Sequence, residues 1–255
     1  MSDLQAPELD TALESNAEPD YSVFGPSAAA PEVPDPTERL IDLSNWGYLL
    51  QEIRYVYRDM PAGGSTPIRR HIEAVADLIG RAVRSNAPVL PRTPQVKPVT
   101  KHFGRALDNG EATQMAPLVR ALSKVGQELD WRYGYDRMPK TLERKYAYAE
   151  LLGPRGPVVF TDLIVGLVLF APATVYPQHA HAGITESYVA MSGAVSQNNA
   201  GVYRPGALIF NQPEAEHRIT TQTREPTLLL YAWSGHPDTL TDDRMELPKR
   251  KRRSA

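Results

Sequence analysis

Two hydrophobic rhythms divide the chain. Between residues 35 and 153 the apolar positions recur at helical spacing, and beyond Gly153 they fall into short β-rich runs separated by turn signals. Asp35-Pro36-Thr37-Glu38 predicts a helix start, with Asp35 as N-cap, Pro36 as first helical residue and Glu38 at the third position. Leu40, Leu43, Trp46, Leu50, Ile53 and Tyr57 continue its apolar stripe, and Pro61-Ala-Gly-Gly64 should end it. A second helix is expected from Thr66-Pro67, with Ile68, Ile72, Val75, Ile79 and Val83 on one face. Residues 86–99 carry four prolines and read as an irregular connector. A third helix is predicted near Pro117, along Leu118, Leu122, Val125 and Leu129, and a fourth from about Lys140 to Leu151. A helix with one apolar stripe must bury it, so the four are expected to form a layer packed on the strand-rich half of the chain.

At Gly153-Pro154-Arg-Gly156-Pro157 the rhythm changes. Strands are expected at 158–160, 164–170, 174–181, 185–191, 194–196, 207–210, 217–221 and 227–233, with turns at Asn198-Asn199-Ala-Gly201 and Arg204-Pro205-Gly206. The resulting expectation is an α+β protein, an antiparallel β-barrel or sandwich behind an N-terminal layer of about four helices. Residues 1–34, rich in Ala, Pro, Glu and Ser, read as a disordered tail. Residues 35–153 read as the helical segment, 154–236 as the barrel, and 237–255 as a tail ending in the basic run Pro248-Lys-Arg-Lys-Arg-Arg253.

Composition narrows the chemistry. The 255 residues contain no cysteine, so disulfides, thiolate catalysis and sulfur-ligated metal are excluded. A net charge of −2 gives no general argument for nucleic acid or membrane partners, and the basic terminal run reads as solvated. No apolar run is long enough to span a bilayer, and the acidic N-terminus lacks the features of a secretory signal. A soluble, cytoplasmic protein is therefore expected, with homo-oligomerisation left open.

The candidate chemistry sits in His179-Ala-His181-Ala-Gly-Ile-Thr-Glu186-Ser-Tyr188. In an extended chain, side chains two apart share a face, so His179 and His181 can reach one metal. Glu186 and Tyr188 share a face on the next strand, and His217 lies on a third. Imidazole and carboxylate suit zinc, iron, manganese, cobalt or nickel. Three or four such ligands leave open coordination positions, the mark of a catalytic metal. His71, His102 and His236 read as structural. Arg218, adjacent to His217, points to the opposite face.

The spacing His179-x-His181-x4-Glu186-x6-Gly193 resembles the first cupin motif, with Ala173 where its leading glycine would stand. Pro213-Glu-Ala-Glu-His217 resembles the second, with Ala215 for its glycine and Thr221 for its asparagine. Further strings run from Ser192-Gly193-Ala-Val, through Pro205-Gly-Ala-Leu-Ile-Phe-Asn211-x-Pro-Glu and His217-Arg-Ile-Thr, to Leu230-Tyr-Ala-Trp-Ser-Gly235. Together they resemble the cupin-type dimethylsulfoniopropionate (DMSP) lyases over about Leu40 to Gly235. That resemblance implies a double-stranded β-helix and a carbon–sulfur lyase splitting DMSP into dimethyl sulfide and acrylate by β-elimination. It implies one divalent transition metal on His179, His181, Glu186 and His217, with Tyr188 as general base. A sulfonium favours aromatic faces, so Tyr176, Tyr231 and Trp233 are candidate substrate-binding residues, and Tyr146 and Tyr148 are within reach from the fourth helix. The fold also admits a cupin dioxygenase or isomerase acting on another small carboxylate, or a non-enzymatic sensor.

Overall fold

The computed structural model describes residues 38–60, 64–135, 138–242 and 245–246. Its strands are β1 (Glu38–Arg39), β2 (Pro88–Val89), β3 (Tyr146–Gly153), β4 (Val158–Val159), β5 (Ile164–Phe170), β6 (Val175–His181), β7 (Ile184–Ser192), β8 (Val195–Gln197), β9 (Leu208–Asn211), β10 (His217–Thr221), β11 (Thr227–Gly235) and β12 (Met245–Glu246). Its helices are α1 (Ser44–Asp59), α2 (Thr66–Arg84), α3 (Phe103–Glu111), α4 (Ala116–Val125), α5 (Lys140–Glu143) and α6 (Pro237–Asp242). No described helix is long and apolar enough to cross a membrane.

The strands form two sheets, of order β1-β2-β4-β3-β5-β11-β7-β9 and β12-β6-β10-β8. They face each other as the two layers of a cupin-like β-sandwich rather than one closed ladder. Alternation along the large sheet assigns its side chains to two cores. On β11, Leu228, Leu230 and Ala232 join Leu50, Ile53, Val75, Ile79 and Leu122 of α1, α2 and α4. The intervening Leu229 and Tyr231 face the small sheet, in a second core with Tyr176, Tyr188, Ile209 and Ile219. The molecule is thus three layers deep, with helices outside the large sheet and a tyrosine-rich interior between the sheets.

Two local expectations are overturned. The fourth helix keeps only Lys140–Glu143, and Tyr146–Gly153 is a strand paired with β5. Tyr146-Ala-Tyr148-Ala is a period-2 pattern: the tyrosines enter the inner core and the alanines pack under the helices. The first helix begins at Ser44, not after Asp35. Glu38 and Arg39 instead pair with Val89 and Pro88, and Asp42 Oδ2 accepts the Arg39 N–H at 3.0 Å. Long-range pairing outweighs the local helix-start signal here. Asp35 and Pro36, the expected N-terminal tail and the basic run lie outside the described residues. Phe103–Glu111, where the apolar spacing predicts no element, is the helix α3.

The motif departures have a backbone counterpart. Ala173, where the motif has glycine, adopts the left-handed φ of 53°. In the second motif the left-handed residue is Glu214, at φ 61°, not Ala215. Counted back from His217, the glycine position is therefore residue 214.

Candidate metal centre

His179 and His181 on β6 and His217 on β10 converge from the small sheet. Their ligand atoms lie within 4.8 Å of one another, and all three side chains are buried. A register shift makes this possible. His217 pairs with His179, yet Ile219 pairs with Tyr176, so β6 carries one extra residue in Pro177-Gln178. Tyr176 and His179, three apart, thus both point inward, with ring centroids 4.9 Å apart.

The imidazoles are oriented through the backbone. His179 Nδ1 lies 2.9 Å from the Pro177 carbonyl, and His217 Nδ1 lies 2.9 Å from that of Ala215. A carbonyl only accepts, so each Nδ1 carries the proton and each Nε2 presents its lone pair to the interior. The buried His179 Nε2 has no hydrogen-bond partner. His217 Nε2 stands 2.9 Å from Glu186 Oε2, without hydrogen-bond geometry. Two lone pairs that close require a proton or a cation between them. A donor set of buried nitrogens and one carboxylate fits a divalent transition metal.

Glu186 arrives from β7, on the facing sheet, and is held by three groups. Trp233 Nε1 donates to Oε1 at 2.6 Å, Asn211 Nδ2 donates to Oε2 at 2.9 Å, and His181 Nε2 lies 3.6 Å from Oε1. Asn211 is fixed in turn by Gln197, whose Nε2 donates to its Oδ1 at 2.7 Å. Burial would raise the Glu186 pKa, but the surrounding histidines outweigh it and hold the carboxyl ionised. Burial, with the charges of His217 and His181, lowers His179 to about 3. Burial likewise opposes the charged form of His217, but the Glu186 carboxylate overrides it and raises that pKa.

Tyr188 lies two residues beyond Glu186 on the same face, opposite Tyr231 of β11. Burial first, and then Glu186, push its hydroxyl well above the ordinary tyrosine range. The other predicted aromatics are in the same interior. Tyr176 packs on His179, Trp233 lies 4.5 Å from the His181 ring, and Tyr231 lies 5.2 Å from Trp233. Gly166 leaves the space that the Tyr231 ring occupies: a Cβ there would come within 2.5 Å of it. Tyr146 lines the interior from a strand rather than a helix, with its ring 4.7 Å from Tyr176. Sequence reasoning missed Asn211 as a carboxylate donor. Its place in the Phe210-Asn211 string, on a strand after the one that carries Glu186, is the only signal.

A model of the dimethylsulfoniopropionate lyase family matches residues 71–229. The chain belongs to this family. A protein provisionally named dimethylsulfoniopropionate lyase DddL, from Cereibacter sphaeroides, is 51% identical over 209 residues, covering 82% of this chain and 90% of that protein. Among solved structures, one from a set of DMSP lyases, RdDddP and RnDddQII, superposes with a TM-score of 0.62 at 23% identity, over 81% of this chain and 98% of that one. DMSP lyase DddQ from Ruegeria pomeroyi gives 0.56 at 21% identity, over 76% and 93%. At these identities the structures speak for the fold, and the family assignment rests on the sequence matches.

Proposed function

We propose that this chain cleaves DMSP to dimethyl sulfide and acrylate by β-elimination, at one divalent transition metal held by His179, His181, Glu186 and His217. The convergence of three buried imidazoles on the Glu186 carboxylate carries the reading. Bound there, zinc, iron, manganese, cobalt or nickel would supply a Lewis acid for the substrate carboxylate and for the charge developing at its α-carbon.

The residues of the chain do the rest. Tyr188, as phenolate, takes the proton from the α-carbon. The C–H electron pair becomes the carbon–carbon double bond, and the β-carbon–sulfur bond breaks with its electrons leaving on dimethyl sulfide. The sulfonium is already a good leaving group and needs no acid. The interior that raises the Tyr188 pKa makes the phenolate a strong base once formed, and a metal cation bound beside it would favour its formation. Tyr176, Tyr231 and Trp233 offer aromatic faces to the sulfonium, and burial of the site excludes bulk water.

Headspace gas chromatography on metal-loaded protein with DMSP tests the reaction. Dimethyl sulfide is expected, and its absence with all five metals overturns the reading. Loss of roughly 10²–10⁴ in rate is expected for Tyr188→Phe, the range of a general base. A change of only a few-fold removes Tyr188 from that role.

A further inference from the structure

Behind the metal centre, on the helix-facing side of the large sheet, lies a polar island in an apolar interface. His71 of α2 is buried, and both its ring nitrogens are engaged: Nε2 lies 2.8 Å from Ser187 Oγ and Nδ1 lies 3.1 Å from Ser234 Oγ. Tyr57 of α1, fully buried, joins through its hydroxyl, 2.8 Å from the same Ser187 Oγ. The His71 ring also packs on Phe210, centroids 5.5 Å apart. Around these groups the interface is aliphatic, with Ile72, Val75, Val189, Leu230 and Ala232 in the shared core.

The island backs onto the site residue by residue. Phe210, Ser187 and Ala232 pair across β9, β7 and β11. Each neighbour along its strand faces the interior. Asn211 follows Phe210, Glu186 and Tyr188 flank Ser187, and Trp233 sits between Ala232 and Ser234. One imidazole thus touches all three strands that present Glu186, its two neutral donors and Tyr188. A slip of one residue in β7 would turn Glu186 and Tyr188 to the wrong face. The β7–β11 ladder runs unbroken from Leu229 to Gly235, with its register shift at the far end between Leu228 and Leu229, and His71 adds side-chain bonds to both strands beside Glu186. Buried polar groups must find partners at defined positions, and the serines therefore accept only one placement of α2.

We propose that His71 is a positioning residue: bonded to Ser187 and Ser234, it locks the β9–β7–β11 register that aims Glu186 and Tyr188 at the metal. The proposal rests on the metal-dependent lyase reading, and its first readout needs no DMSP. Metal affinity, by competition with a chromophoric chelator, is compared for wild type, His71→Leu, His71→Gln and Ser187→Ala, with kcat and KM for DMSP alongside. Outer-shell partners of metal ligands change affinity by about 10–100-fold. His71→Leu should lose affinity and kcat in that range with KM within about threefold, and His71→Gln, which keeps a donor and an acceptor, should recover most of both. Ser187→Ala, which removes no packed volume beyond a hydroxyl, should lose affinity as His71→Leu does, and it serves if the leucine variant does not fold. The proposal is overturned if the folded variants lose thermal stability but keep affinity and kcat within twofold. It is equally overturned if glutamine and leucine are impaired alike, or if wild type binds no metal. Wild-type metal binding without dimethyl sulfide would sink the lyase reading and leave the affinity comparison to decide this one.

Discussion

Trp233 and Glu186 are directly opposed in the β11–β7 register, and the indole N–H reaches the carboxylate at 2.6 Å. An aromatic expected to face the substrate thus also orients the carboxylate beside the histidines. Trp233→Phe keeps most of the apolar ring and deletes the donor, while Asn211 Nδ2 still donates to Glu186. Metal affinity is expected to fall by about 10–100-fold, as for other outer-shell partners. Chelator competition on the purified variant checks this, and unchanged affinity would leave Trp233 as a packing residue of the interior and nothing more.

Ala173 offers a gain in stability. It holds a left-handed backbone, φ 53°, and its side chain is exposed, so the methyl group buries little. That conformation costs an L-residue on the order of 1 kcal/mol, partly offset because alanine has less unfolded-chain entropy to lose than glycine. Ala173→Gly should therefore stabilise the protein by about 0.5 kcal/mol at most, raising the melting temperature by about 1–2 °C. A calorimetric scan showing an unchanged or lowered midpoint would contradict this.

The strands after Gly153 were legible because each carries its own alternating pattern and its own turn. The expected run 164–170 is β5 residue for residue, and 217–221 is β10. The histidine–glutamate set was legible for the same reason, since period 2 places His179 with His181 and Glu186 with Tyr188. What the sequence hid depends on contacts between distant segments. Glu38 has the local chemistry of a helix start, and only its pairing with Val89 makes it a strand residue. Lys140-Thr-Leu-Glu opens a helical turn, and that conceals the strand pattern of Tyr146-Ala-Tyr148-Ala. His71 sits beside an apolar helical stripe, and its position shows neither serine partner. The extra residue in Pro177-Gln178 puts Tyr176 and His179 on one face despite their odd spacing.

A second clamp holds α3 against the turn before β11. The Glu225 carboxylate accepts Arg105 Nε at 2.9 Å, Arg105 Nη2 at 3.0 Å and Asn109 Nδ2 at 2.8 Å. These bonds, Arg105 first, lower the Glu225 pKa from 4.5 to about 2. A depressed carboxyl pKa contributes stability that is fully present above the unfolded value and is lost as pH falls through the folded one. Melting temperatures of wild type and Glu225→Gln should therefore differ by a constant amount at neutral pH. Below about pH 4.5 the gap should narrow, closing toward pH 2, and a gap that is the same at pH 3 and pH 7 would show that the charge contributes nothing.

His71 titrates in the opposite sense to a histidine that gains a charged partner. Burial is the larger influence and lowers its pKa from 6.5 to about 4, with Glu186 opposing. Above pH 6.5 the ring is neutral both folded and unfolded, and it contributes no pH dependence. As pH falls below 6.5 the unfolded chain takes up a proton that the folded one refuses, so stability declines until the folded ring also protonates near pH 4. At 1.36 kcal/mol per pKa unit, the interval from 6.5 to 4 corresponds to a loss of about 3 kcal/mol. Glutamine at this position keeps hydrogen-bonding capacity without a titratable group. His71→Gln should therefore lose less stability than wild type between pH 6.5 and pH 4, with parallel behaviour above pH 7, in denaturant titrations at matched pH values. Parallel curves through the whole range would mean that the folded ring takes up its proton near pH 6.5 as the unfolded one does, and that below this pH the Ser187–His71–Ser234 bridge carries a proton on both ring nitrogens.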